Sequence, residues 1–226
     1  MAKANLSLQE INIDAIKHYA ALRNLADTGD DALKKAADSV IAAAVPQGLY
    51  QQVFYDDASH AILCDSPFTL SSQQLRTRLE HTGDIVLLLA ATLGPAVDEA
   101  IDRLFLVKDF QDGLLLDAAA SAAADQLLGM LTSEIASFAA KKGYAVAWQS
   151  SPGCGDWPQG QQADLAIAAG GAQIGITVTA SRMLIPRKTI TAITALRYTG
   201  DAACSGGCAA CAMAGNCHAE EEDNDW

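Results

Sequence analysis

A chain of 226 residues is long enough for one large domain, or for one domain with an appendage. Half of its residues are hydrophobic, so it can bury a sizeable core, and with only 6% aromatics that core rests on Ala, Leu, Ile and Val. Fifteen Lys and Arg against 27 Asp and Glu give a net charge of −12. That balance excludes a general nucleic-acid binder and a protein that docks on anionic membranes, since both need a basic footprint.

The opening, MAKANLSLQE, lacks the apolar run of a secretory signal. The apolar stretches near 85–97 and 165–181 are interrupted by Gly94-Pro95 and Gly170-Gly171 before they reach the about 20 residues of a membrane span. The expectation is a cytoplasmic protein with reduced cysteines. Six Cys then point to metal or redox chemistry more than to disulfides.

In chain order, residues 8–24 read as a short edge segment followed by a helix with Ile13, Ile16 and Ala20 on one face. A second helix is expected over 28–44, with Thr28 and Asp31 as a capping-box-like start and Pro46-Gln47-Gly48 as its end. LYQQVFYDD (49–57) and HAILC (60–64) read as strands around the polar turn Asp57-Ala58-Ser59, and 71–80 as an amphipathic helix. DIVLLLAATLG (84–94) begins as a continuous apolar run, the mark of a strand buried on both faces. Gly94-Pro95 then opens a helix, with Asp98 and Glu99 in its first turn.

The longest helical pattern, 113–142, is dense in Ala, Ser and Gly and ends in Lys141-Lys142-Gly143, which suits a helix C-terminus. A strand (144–149), a Gly/Pro loop (151–160) and a helix (159–169) follow. AQIGITVTA (172–180) alternates with Ile174, Ile176 and Val178 on one side. It reads as a strand joined through MLIPRK to a second alternating strand, TITAITAL (189–196). Strands and helices mix without strict βαβ repetition, which predicts an α+β fold with a mixed, largely antiparallel sheet and flanking helices.

The composition changes near residue 199. Residues 1–199 are expected to form the domain and 200–226 a Cys-rich acidic tail that cannot bury a core of its own. Cys204, Cys208, Cys211 and Cys217 are spaced C-x3-C-x2-C-x5-C, with His218 adjacent and Gly and Ala between. Four thiolates in a pliable segment suit either zinc or an iron–sulfur cluster, and both readings stand. The first three share a spacing with radical S-adenosylmethionine (AdoMet) enzymes, but a fourth Cys and the C-terminal position argue against that mechanism. Cys64 reads as a small buried apolar residue, and His18, His60 and His81 as surface or capping residues.

Two segments carry a further signal: WQSSPGCGDWP (148–158) and IGITVTASRMLIPRKTITAI (174–193). Together they resemble the AdoMet-binding activation domain of vitamin B12-dependent methionine synthase. That family has an Arg-x-x-Pro-Gly-Tyr loop, a helix, a Gly-hydrophobic-x-Leu-Thr-Glu-Ser strand, a Pro and a Ser-Val-Ser-Gly strand. Pro152-Gly153, Gly175, Thr179, Ser181 and Pro186 match in order, and Thr189-Ile190-Thr191 replaces Ser-Val-Ser. The resemblance covers 84–196, extends less strongly over 8–83, and does not include the Cys tail.

The resemblance implies the activation-domain fold and a role in corrinoid reactivation. In that family, AdoMet methylates a cobalamin that an electron donor has reduced. The cobalamin would sit on a partner, a separate corrinoid protein or a split methionine synthase. The implied cofactor-binding positions are Gln149, Pro152, Gly153, Cys154, Gly155, Thr179 and Pro186. Gln149 stands where the family has Arg, Cys154 where it has Tyr, and Ala180 where it has Glu. Each change removes a charge or an aromatic group that would meet AdoMet. Arg187 and Lys188 offer either a replacement positive charge or a solvated loop. The alternative is therefore an iron–sulfur or zinc metalloprotein that reduces or docks a corrinoid protein without binding AdoMet.

Overall fold

A computed structural model describes residues 1–4, 6–80 and 84–200. The Cys tail and His81 lie outside the described residues. Nine strands and six helices are described: β1 (Ala2–Ala4), α1 (Ile13–Ala21), α2 (Asp30–Ala43), β2 (Gln47–Asp56), β3 (Ala61–Leu63), β4 (Phe68–Thr69), α3 (Gln73–Leu79) and β5 (Ile85–Thr92), then α4 (Pro95–Leu106), α5 (Phe110–Ala140), β6 (Tyr144–Ser150), α6 (Gln162–Ala168), β7 (Thr177–Val178), β8 (Leu184–Ile185) and β9 (Thr189–Tyr198).

The main sheet is antiparallel throughout, in the order β4-β3-β2-β5-β9-β6, with β1 also on β2. β5 is its centre. IVLLLAAT is apolar on both faces, so only a position between two strands and two layers removes it from water. Leu87, Leu89 and Ala91 face α1, α2, α4 and α5, while Val86, Leu88 and Ala90 face α6 and Trp157. The result is an α+β domain with a helical layer on one face and a thinner layer of α3, α6 and the small β7–β8 sheet on the other.

α5 is the spine of the helical layer. Its small residues Ala118, Ala119, Ala122 and Ala123 are fully buried, which lets α1, α2 and the sheet approach closely. It is the one described helix long and apolar enough to cross a membrane by composition, and 61% of that window is buried among its neighbours, as in a core helix. Gly143, at φ +75°, turns the chain out of α5 into β6. Gly94, at φ +85°, and Pro95 turn β5 into α4, where the backbone N–H of Gly94 donates to Thr92 Oγ1 at 3.2 Å.

Two local expectations are corrected. α2 begins at Asp30 with Gly29 as its cap and no side-chain cap bond; the Thr28 hydroxyl donates back to Leu25 O at 2.8 Å and does not cap the helix. Residues 172–180 are not a strand of the main sheet. Gly170 and Gly175, at φ +83° and +77°, curl 171–174 into a 3-10 turn. Only Thr177–Val178 is extended, and it pairs with Leu184–Ile185 in a separate two-stranded sheet. Ile174 and Ile176 alternate because both press onto the main sheet, not because they share a ladder. β9 leaves this small hairpin and enters the main sheet between β5 and β6.

Candidate functional site

β9 pairs with β5 from Thr189 to Leu196, but β6 covers it only from Ile193 onward. Beyond Ser150, β6 departs into the Gly loop, so residues 189–192 have no strand partner on that edge among the described residues. A cleft of about 590 Å³ opens there, a volume ordinary for a small-ligand site. Its walls are the loop at 151–154, residues 187–191 at the entry to β9, the middle of α5 and Tyr19 of α1.

The loop is shaped from behind. Gly153, at φ +98°, and Gly155, at φ +60°, adopt conformations that L side chains rarely take. The Gly153 N–H donates to Trp157 O at 2.8 Å, and the Trp157 N–H donates to Cys154 O at 3.1 Å. Trp157 is buried, and its indole N–H donates to Gln161 Oε1 at 2.7 Å. Asp156 receives the Ser72 hydroxyl at 2.5 Å and the N–H groups of Gln73 and Gln74 at 2.8 and 3.1 Å. It thereby ties the loop to the start of α3. The Ser72 hydrogen bond and these amides hold its carboxyl below the usual range.

The α5 wall carries charge. Arg23 Nε and Nη2 reach Asp117 Oδ2 at 2.9 and 2.5 Å, and Lys188 Nζ reaches Asp117 Oδ1 at 2.6 Å. Lys188 Nζ also donates to Ser121 Oγ at 3.0 Å and to Asp117 O at 3.2 Å. Burial alone would raise the Asp117 pKa, but the hydrogen bonds and charges of Lys188 and Arg23 outweigh it and hold the group below its ordinary value. Burial pushes the Lys188 ammonium down, and Asp117 offsets this only in part. The Tyr19 hydroxyl donates to Asp125, and burial together with that bond raises its pKa to about 12. Arg187 is committed to α4: its N–H donates to Asp98 Oδ2 at 2.6 Å and its Nη2 to Asp102 Oδ1 at 2.6 Å.

Of the residues singled out from the sequence, Pro152, Gly153 and Cys154 line the cleft, with Cys154 exposed. Gln149 does not. It sits on β6 with its Oε1 accepting from Thr132 and Thr194 at 2.5 and 3.1 Å, and it borders a smaller pocket of about 230 Å³ with Gly155 and Asp156. Thr179 closes the β7–β8 turn, its Oγ1 accepting the Met183 N–H at 3.0 Å. Pro186 is buried just before β9, after a cis peptide bond. Cys64 is half-buried with its thiol donating to Ser66 O. His60 contacts the Tyr55 hydroxyl at 3.2 Å, and His18 is exposed. Among the described residues no group of three or more His, Cys, Asp and Glu is placed to hold a metal.

Sequence reasoning missed Tyr19, Arg23, Asp117, Ser121 and Asp125, and it placed Thr191 in the matching strand without giving it a binding role. Thr191 is 2% exposed, lines the cleft, and has a hydroxyl with no partner among the described residues. The spacing of Asp117, Ser121 and Asp125, four residues apart on α5, was the one available signal that these polar groups share a helix stripe.

These features define a class: the chain has the fold of a methionine synthase reactivation domain. Among solved structures, the MetH reactivation domain bound to AdoHcy aligns with a TM-score of 0.53 at 13% identity, covering 89% of this chain and 80% of that one. Neither a protein-family model nor a curated sequence matches the chain.

Proposed function

We propose that this protein is a reactivation module for a corrinoid protein, and that its cleft takes an adenosyl ligand of the AdoMet and AdoHcy class. The observation that carries this reading is the cleft itself. It lies where β6 leaves β9, between a Gly loop and an uncovered strand edge, in a fold whose solved relative holds AdoHcy. AdoMet, when bound, would supply an electrophilic methyl group to a reduced corrinoid on the partner.

The residues fit such a ligand in several respects. The cleft has the volume for it. Gly153 leaves the loop backbone open to close approach, with Gln159 Cβ 3.9 Å away from where a Cβ would stand. The orphaned hydroxyl of Thr191 and the hydroxyls of Ser121, Ser151 and Thr189 supply hydrogen bonds for a nucleoside. Asp125 supplies an exposed acid for an ammonium or sulfonium group. These side chains bind and orient; the corrinoid does the chemistry.

The test is calorimetric titration of AdoHcy and AdoMet into the full chain. Micromolar binding that Thr191→Val weakens supports the reading. No heat with either ligand removes it.

A second reading is favoured by two observations. Gln149 occupies the family Arg position and has its amide oxygen engaged by Thr132 and Thr194. Four Cys follow Gly200 in the sequence. On this reading Cys204, Cys208, Cys211 and Cys217 hold an iron–sulfur cluster that passes one electron to the corrinoid, or hold zinc in a docking tail. Anaerobic purification separates these. Iron with acid-labile sulfide supports electron delivery, zinc supports docking, and no metal leaves AdoMet methylation as the sole reading.

A further inference from the structure

Inside the cleft wall, two cations share one carboxylate. Asp117 Oδ2 is held by Arg23 and Oδ1 by Lys188, so each oxygen has its own cation. Arg23 is fixed by more than Asp117. Its Nη1 donates to Tyr19 O at 2.8 Å, its Nη2 to Ser121 Oγ at 3.1 Å, and its guanidinium lies 5.8 Å from the Tyr19 ring centroid. Lys188 also donates to Ser121 Oγ and to Asp117 O, but unlike Arg23 it lines the cleft and carries its charge on a flexible stem. It can leave Asp117 without stranding a buried carboxylate, because Arg23 remains. Of the other acids nearby, Asp98 and Asp102 are paired with Arg187, while Asp125 accepts only the neutral Tyr19 hydroxyl and stays exposed to a ligand.

We infer that Lys188 receives the carboxylate of the ligand, while Arg23 keeps Asp117 ionised. The local set favours this: Arg23 and Lys188 stand against Asp117 and the exposed Asp125, so the cleft offers both a cation and an acid to the zwitterionic end of an amino-acid group. Burial pushes the Lys188 ammonium down, and a ligand carboxylate beside it would offset that burial. Lys188, just before β9, would then supply the cation that position 149, a Gln outside the cleft lining, does not. The ligand class narrows to adenosyl thioethers and sulfoniums that carry an amino-acid group, in preference to nucleosides without one. This inference rests on the adenosyl-ligand reading above.

The experiment compares AdoHcy with methylthioadenosine, which keeps the adenosine and the thioether but lacks the amino acid. Both are titrated into the full chain and into Lys188→Met. The natural protein is expected to bind AdoHcy at least about tenfold more tightly. Lys188→Met should bring the two ligands within about twofold of each other while leaving methylthioadenosine binding in place. Lys188→Gln serves if the Met variant does not fold, since it keeps a donor toward Asp117. Equal binding of both ligands by the natural protein overturns the inference and leaves the adenosyl reading intact. So does a tenfold preference that survives loss of the Lys188 charge. Binding of neither ligand removes the adenosyl reading, and this inference with it.

Discussion

The loop at 151–154 and the entry to β9 at 187–191 line one cleft but are anchored by different forces. The loop hangs from a buried indole and a set of backbone and side-chain hydrogen bonds behind it, through Trp157, Gln161, Asp156 and Ser72. β9 enters the cleft between two ion-pair clusters, Arg187 with Asp98 and Asp102, and Lys188 with Asp117 and Arg23. The loop therefore depends on packing and hydrogen bonds, and its cleft-lining residues 151–154 carry no charged side chain. The β9 wall depends on charge, and the groups that would meet a ligand are the same groups that hold the wall together. A ligand can rearrange the second wall without unfolding it, whereas the first is preformed.

The sharpest way to break this comparison is at Trp157. Trp157→Ala removes a fully buried indole and should cost about 3–5 kcal/mol, read as a lower denaturant midpoint. Amide exchange at Gly153 and Cys154, whose N–H groups donate within the loop, should accelerate with it, while the amides of the β5–β9 ladder stay protected. Equal loosening of both walls would show that they are one unit.

Asp117→Asn comes next. It leaves Arg23 and Lys188 facing each other without a carboxylate and should cost about 3 kcal/mol at neutral pH. Its pH dependence follows from sign. The folded pKa of Asp117 is lowered, so its contribution is present above the unfolded value of about 3.9 and is lost as pH falls through the lower folded value. Thermal melts of the natural protein should show that acid limb, and Asp117→Asn should flatten it. An unchanged limb would assign it to other carboxylates.

Ser72→Ala is a smaller test. Ser72 is buried at the start of α3, accepts the Leu75 N–H at 3.1 Å and donates to Asp156, so its loss should cost about 1 kcal/mol. The loop should keep its shape, because Trp157 still holds it. Cys154→Ser should be smallest, within about 0.5 kcal/mol, since the thiol is exposed in the loop. Unchanged adenosyl-ligand binding in that variant would remove any role for the thiol in the cleft; a loss of binding would give it one.

Much of this architecture was legible from local pattern. An unbroken apolar run marked β5 as central, an Ala-rich helical period marked α5, and Gly94-Pro95, Gly143 and Pro152-Gly153 marked the turns that shape the cleft. The resemblance around 148–158 and 174–193 pointed to the same loop and strand. Residues 172–180 were misread because alternation records burial against a surface, and a curled segment lying on a sheet alternates as well as a paired strand does.

What the sequence determined by itself is what depends on a residue and its near neighbours: period, φ preference and the apolar face of each element. Only the tertiary structure decided which charges meet. Arg187 and Lys188 are adjacent in sequence, yet one turns to α4 and the other to α5, and Gln149 turns away from the cleft to Thr132 and Thr194. The ion pairs of Arg23, Arg187 and Lys188 join residues 71 to 94 positions apart, for which a single chain read in order carries no local mark.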